Sequence, residues 1–327
     1  YMGEGETPEN MLNYEKLIAQ SVAIPPVKND YNNLAGIFYT GGTTGFPKGV
    51  MLSHTNLWSS SIAVTAELGL NVEGERYLHV APMFHIADVG VSYAMLIGGL
   101  CQVFLPSFDV DAVINVIEHK EINHVLLVPT MVTMMLASPT LDSANFTSLK
   151  HIVYGASPMP EGTLIAAMEK MPTVKFIQLY GQSELAPVIS VLPAEYHVLE
   201  GPKASKIRSA GRAGYCIRVE IRDEDGNVLP VGKVGEITAS GPNTMLGYWK
   251  NTEQTEKTLI DGWVSTGDAG YMDEDGFIFL VDRLKDMIVT GGENVFSVEV
   301  ENALSNTSTI LHLLALVLPR TTWGTDL

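Results

Sequence analysis

The densest run of chemistry-bearing residues is YTGGTTGFPKGVMLSH, residues 39 to 54. It places four glycines, three threonines and one lysine directly after the apolar run LAGIFYT. Glycines let backbone N–H groups approach phosphate oxygens, threonine hydroxyls add donors, and a lysine neutralises charge. The run does not fit the P-loop pattern GxxxxGK[ST], because Pro47 precedes Lys48 and Gly49 follows it. On its residues alone it is either a different phosphate cradle or the tip of a hairpin. Three further runs set polar residues against apolar ones: YGQSE (180–184), STGD (265–268) and DRLKDMIVTGGENVFSVEVE (282–301). Taken singly, their residues have plain structural readings. Tyr180 ends an apolar strand and would pack in a core. Glu184 would sit at a helix start, near the positive end of its dipole. Asp268 would serve a turn before Ala269-Gly270, and Lys48 and Arg283 would be solvated charges. His85, in PMFHIA, would be a packing residue behind an apolar strand.

The elements that must position these residues alternate. The strand-like runs GIFYT, RYLHVAP, CQVFLP, HVLLVP, HIVYGA and KFIQLYG are separated by helix-like stretches such as DVDAVINVIEHKE and PEGTLIAAMEKMP. That rhythm predicts an α/β unit, a parallel sheet with helices on its faces, over residues 1–205. From about Ile207 the texture changes to short alternating strands, RVEIRDEDGNVLPVGKVGEITASG. Turn signals at Asp225-Gly226 and Val231-Gly232-Lys233 predict a small β unit over 206–283. A strand, a turn and a helix then begin an α+β domain over 284–327. No internal repeat or low-complexity linker is visible.

Composition narrows the function classes. The chain has 327 residues, 46% of them hydrophobic and 17% charged, which fits a globular protein with sizeable cores. Twenty Lys plus Arg against 37 Asp plus Glu give a formal charge of −17, the opposite of a nucleic-acid binder's basic face. Anionic ligands must therefore be held by local donors against the global field. Cys101 and Cys216 are far apart with no CxxC partner, so they read as reduced, buried thiols of a cytoplasmic protein and not as a zinc site. No secretory signal opens the chain. Val89 to Phe108 carries no charge over a membrane-spanning length. Gly98-Gly99, Gln102 and Pro106 interrupt it, which predicts a buried helix, a turn and a short strand.

The four runs, in this order, resemble the adenylate-forming superfamily of acyl-CoA synthetases, firefly luciferases and peptide-synthetase adenylation domains. APMFHIAD, YGASPMP and SGPNTMLGYWKN are most similar to its acyl- and aryl-CoA ligases. The resemblance implies ATP-dependent activation of a carboxylic acid to an acyl-adenylate with release of pyrophosphate. Transfer to coenzyme A then gives an acyl-CoA and AMP. It implies that Gly42, Thr43, Thr44, Gly45 and Lys48 enclose the β- and γ-phosphates. Ser183, where a threonine is usual, meets the α-phosphate beside Gly181, and Glu184 holds Mg²⁺. Tyr180 faces the adenine across a slot made by Gly155, Ala156 and Ser157, while Asp268 accepts the ribose hydroxyls and Arg283 donates to the same sugar. His85 lines the carboxylate and gates the acyl tunnel. Lys285 is the hinge of the C-terminal domain, and Gly291 and Gly292 lie beside the pantetheine.

The resemblance also has gaps. The chain begins shortly before the phosphate loop and ends at RTTWGTDL, before the C-terminal lysine that the family uses during adenylation. The expectation is a piece truncated at both ends, with poor adenylation of its own. Apolar surface left by absent partners would favour self-association or instability, and peripheral membrane contact is compatible with the sequence. Met83, Ala186, Pro187 and Val188 predict an apolar acyl tunnel and a fatty acid substrate. An aryl acid ligase and a nucleotide-binding pseudo-enzyme are the alternatives.

Overall fold

The computed structural model describes residues 1–2, 5–40, 47–70 and 72–284, together with two short strands, 288–290 and 293–295. A short helix, α1 (Tyr14–Gln20), is capped by Asn13 and buries nothing. The strands β1 (Leu34–Thr40) and β2 (Lys48–Ser53) then pair antiparallel, with Thr40 opposite Lys48. GIFYT is therefore not the first strand of the parallel sheet. A parallel partner needs a crossover of roughly a dozen residues or more, and only residues 41–46 separate these two strands. The glycine-rich run thus joins the arms of a hairpin.

Helix α2 (His54–Leu68) follows at once. Ser53 accepts from the Asn56 N–H, the Asn56 side chain returns the bond to Ser53 N–H, and Gly69 ends the helix at φ 63°. This reciprocal cap satisfies two orphan donors of the first turn. The chain then alternates through β3 (Arg76–His79), α3 (Ile86–Gly98), β4 (Cys101–Phe104), α4 (Val110–His119), β5 (His124–Leu127), α5 (Pro129–Leu136), β6 (His151–Gly155), α6 (Glu161–Lys170) and β7 (Lys175–Gly181). These five strands are parallel, in the order β4-β3-β5-β6-β7. β8 (Val188–Leu192) and β9 (Arg212–Ala213) extend the sheet antiparallel.

The period-2 geometry of strands sorts the core into two layers. Val125, Leu127, Ile152 and Phe176 pack with Ile114, Val132 and Leu164 of the helices on one face. Leu126, Val153 and Ile177 pack with Val64, Val91 and Met95 of α2 and α3 on the other. With both faces covered, the central strands read as unbroken apolar runs. The Val89–Phe108 stretch is the end of α3, a left-handed Gly99 (φ 73°) and β4. No helix among the described residues is long and apolar enough to cross a membrane.

A second, antiparallel sheet is built from β10 (Arg218–Arg222), β11 (Gly235–Ser240), β13 (Leu259–Ile260), β14 (Trp263–Met272) and β15 (Ile278–Arg283). The intervening β12 (Gly247–Tyr248) leaves it to pair with β2, and α7 (Thr252–Thr258) follows. The strands β16 (Ile288–Thr290) and β17 (Glu293–Val295) pair with each other. Both cysteines are exposed, contrary to the expectation of buried thiols. Cys101 lies on the edge strand β4, and Cys216 sits in a turn at φ 65°. Trp58 and Ile62 on α2 and Leu96 on α3 also present apolar surface to solvent.

Candidate active site

The C-terminal ends of β5, β6 and β7, the start of α3, and the rim of the antiparallel sheet enclose a cleft of about 600 Å³. In open parallel sheets this end of the strands is the usual place for a ligand. Lys48, His85, Gly155, Ala156, Tyr180, Gly181, Ser183, Glu184 and Arg283 all line it. They come from parts of the sequence more than two hundred residues apart.

Two glycines let the strand ends close the cleft wall. A Cβ on Gly181 would stand 1.8 Å from the Pro187 carbonyl oxygen, and one on Gly155 would stand 2.2 Å from the Leu179 carbonyl oxygen. Both neighbours are backbone and cannot step aside. The Gly181 approach lets the 182–188 turn fold back, with the Gln182 N–H donating to the Pro187 carbonyl at 2.8 Å. Ser183, Glu184 and Leu185 form a single 3₁₀ turn there, not the start of a longer helix. The turn is anchored from the other sheet. Asn243 Nδ2 donates to the Leu185 and Val188 carbonyls, and the Met245 N–H donates to the Glu184 carbonyl at 2.9 Å.

Across the cleft, the STGD run makes an irregularity in β14. Thr238 of β11 lies opposite Ser265 and Glu236 opposite Ala269, so three residues of β14 face one of β11. Extra residues of this kind re-aim side chains. The Thr266 hydroxyl accepts the Asp268 N–H at 3.1 Å, and Glu236 accepts the Gly267 N–H. Asp268 then receives the Tyr180 hydroxyl at 2.7 Å and stands 3.4 Å from Arg283 Nε. Burial, and next the Asp268 charge, push the Tyr180 phenol far above its ordinary pKa, so it remains a donor. One hydrogen bond therefore joins the α/β part to the antiparallel sheet at the cleft.

A second linkage runs through Tyr248. Its hydroxyl donates to Glu184 Oε1 at 2.6 Å, and the Lys48 ammonium lies over its ring, 4.8 Å from the centroid. Contacts of this kind contribute about 0.5–2 kcal/mol. Glu184 and Lys48 enter no ion pair among the described residues. His85 is the N-cap of α3, its Nδ1 accepting the Ala87 N–H at 3.2 Å. That end of α3 is tied to the sheet by Asp88, buried, 2.9 Å from His79 Nδ1.

Residues 3–249 match the model of the AMP-binding enzyme family. The chain belongs to that family. Over 289 residues the chain is 38% identical to a feruloyl-CoA synthase of an Amycolatopsis species, covering 88% of the chain and 57% of that protein. It is 36% identical to a medium/long-chain-fatty-acid–CoA ligase of Mycobacterium tuberculosis, covering 90% and 50%. The chain thus spans about half the length of these curated relatives. Among solved structures it is similar to o-succinylbenzoate coenzyme A synthetase of Bacillus subtilis in complex with ATP and magnesium ion. There the TM-score is 0.79 at 30% identity, over 89% of this chain and 59% of that one.

Not every residue singled out from the sequence reaches the cleft wall. Ser157 is exposed beside Ala156 and does not line it, and Asp268 does not line it either but bonds to Tyr180, which does. Ala186 is buried in the core cluster of Val50, Leu52 and Ile86, while its neighbours Pro187 and Val188 line the cleft. Met83 is exposed outside it. Gly42, Thr43, Thr44, Gly45, Lys285, Gly291 and Gly292 lie outside the described residues. The sequence reading missed Tyr248, although it belongs to the SGPNTMLGYWKN run. Its signal was the aromatic pair after a glycine, which alone does not distinguish core packing from a site. Thr266, Glu236 and Gln182 were also missed, and all three line the cleft.

Proposed function

We propose that the cleft binds ATP and a carboxylic acid, forms the acyl-adenylate, and belongs to a protein that passes the acyl group to coenzyme A. The observation that carries this is the convergence of Lys48, Glu184, Tyr180 and Arg283 on one cleft at the strand ends, with Asp268 bonded to Tyr180 and beside Arg283. Carboxylate attack on the α-phosphorus brings two anions together, so the work is positioning and charge neutralisation. Lys48 supplies positive charge beside the glycine-rich run, and the Ser183 hydroxyl supplies a donor at the turn. Asp268, already oriented by Tyr180, accepts both ribose hydroxyls, and the Tyr180 ring faces the adenine over Gly155 and Ala156. His85 orients the carboxylate at the start of α3.

The donor set fits Mg²⁺. Among the described residues no group of three or more His, Cys, Asp or Glu side chains could hold a metal. Glu184 is a cleft carboxylate with no cationic partner in that set. One carboxylate plus phosphate oxygens and water is how Mg²⁺ is commonly held. Bound there, it would supply further neutralisation of the triphosphate.

Ile86, Val91, Leu126, Leu179, Pro187 and Val188 give the remaining cleft wall an apolar character, which supports a fatty acid as the substrate. The feruloyl-CoA synthase likeness favours an aryl acid as the second reading. As part of the same proposal, residues 1–205, 206–283 and 284–327 are the α/β, small β and C-terminal units, with Lys285 as the hinge. Adenylates formed from ATP with a panel of fatty and aryl acids, detected by mass spectrometry on the whole protein, test this. Adenylation of fatty acids is expected; preference for aryl acids moves the assignment to the second reading, and no adenylate with either class removes it.

A further inference from the structure

Tyr248 has no part in the chemistry above, yet it touches both charged groups of the phosphate end. It is 3% exposed. Its backbone is fixed from two sides, by pairing with Val50 of β2 and by its N–H donating to Thr255 Oγ1 at 2.9 Å. The residues just before it, Asn243 and Met245, bond to the 184–188 turn. The phenol is therefore held rigidly against Glu184, whereas a flexible partner would follow the carboxylate. The Tyr248 hydroxyl donates to Glu184 Oε1 at 2.6 Å.

The ring has the complementary effect. Lys48 begins β2, which pairs with β12, whereas Glu184 lies in the 3₁₀ turn between β7 and β8, so the ammonium and the carboxylate reach the same tyrosine from different elements. The ammonium lies over the ring and the carboxylate meets the hydroxyl, and among the described residues the two form no ion pair with each other. A cation ligand and a phosphate ligand stay separately available in one wall.

We propose that Tyr248 is a positioning residue of the cleft. Its hydroxyl fixes the Glu184 carboxylate for a divalent cation, and its ring holds the Lys48 ammonium apart from that carboxylate. This rests on the reading of the cleft as a nucleotide site with Glu184 as the cation ligand.

The test is equilibrium binding of ATP to the 327-residue chain across a Mg²⁺ series, and of AMP in EDTA, for wild type, Tyr248→Phe and Tyr248→Leu. Partners that orient a metal ligand typically contribute 10-fold or more to metal affinity. Tyr248→Phe keeps the ring and its packing, so the Mg²⁺ needed for half-maximal ATP binding should rise about 10-fold. Its AMP affinity in EDTA should stay within about twofold of wild type. Tyr248→Leu also removes the spacer, so its ATP affinity should fall even at saturating Mg²⁺. If Tyr248→Leu does not fold, Tyr248→Phe decides alone. A Tyr248→Phe chain with wild-type Mg²⁺ dependence overturns the proposal, as does one that loses ATP and AMP affinity equally, which marks a purely structural role. A wild-type chain that binds neither nucleotide removes the reading of the cleft itself, and this proposal with it.

Discussion

Replacing Asp268 by alanine separates what holds the cleft together from what the cleft holds. The carboxylate accepts the Tyr180 hydroxyl at 2.7 Å and stands 3.4 Å from Arg283 Nε. The arginine side chain is 62% exposed, so that ion pair contributes little. The phenol is different, because it is buried and loses a charged acceptor. With the Thr266 side chain still beside it, the expected loss of folding stability is about 1–2 kcal/mol. Nucleotide binding should lose more than stability does. A single hydrogen bond from a ribose hydroxyl to a charged group contributes about 1.5–3 kcal/mol, so the loss of even one is roughly a 10- to 150-fold weaker Kd. Tyr180→Phe is the control: it removes the same internal bond but leaves Asp268 for the sugar. Isothermal titration with AMP, alongside urea midpoints, reads both quantities. Asp268→Ala should lose both affinity and stability, and Tyr180→Phe chiefly stability. If Asp268→Ala binds AMP within about threefold of wild type, or if Tyr180→Phe loses as much affinity, Asp268 does not hold the ribose.

Three further outcomes follow from the same geometry. Glu184→Gln keeps a hydrogen-bond acceptor for Tyr248 but removes the charge, so the Mg²⁺ dependence of ATP binding should weaken; an unchanged dependence returns Glu184 to a structural role. Gly181→Ala forces a Cβ to 1.8 Å from the Pro187 oxygen and should destabilise by about 2–3 kcal/mol; a urea midpoint equal to wild type would contradict the rigid approach of the two backbones. His197 is buried, accepts the Tyr154 hydroxyl at 2.9 Å and has its pKa lowered to about 4, by burial. Its neutral form is the one that folds, so this contribution is complete above the unfolded value near 6.5 and is lost as pH falls from there to about 4. The loss amounts to about 3 kcal/mol, and His197→Asn should flatten the urea midpoint over that window.

What the sequence disclosed followed the range of the forces involved. The parallel strands were legible because each is a short apolar run bounded by turns, and both faces of the sheet are covered. GIFYT has the same texture but pairs antiparallel, because the length of its connection, not its own residues, decides its partner. The exposure of Cys101 depends on β4 lying at the sheet edge, a fact of strand order and not of the residues around it. At the site, the motif residues Lys48, Tyr180, Ser183, Glu184 and Arg283 reach one cleft. Ala186 is turned into the core by the same fold-back that brings Pro187 and Val188 to the wall. Tyr248 was not legible, because its role depends on β12 leaving one sheet to pair with β2 in another. No local pattern encodes that crossing.

The central claim is that adenosine nucleotides occupy the cleft between the parallel strand ends and the antiparallel sheet. Photolabelling of the 327-residue chain with 2-azido-AMP, followed by peptide mapping, tests it most directly. The expected labels fall on the peptides carrying Gly155–Ala156 or Tyr180, are displaced by AMP, and are displaced far less well by GMP. Labelling confined to other peptides, or equal displacement by AMP and GMP, would contradict the claim.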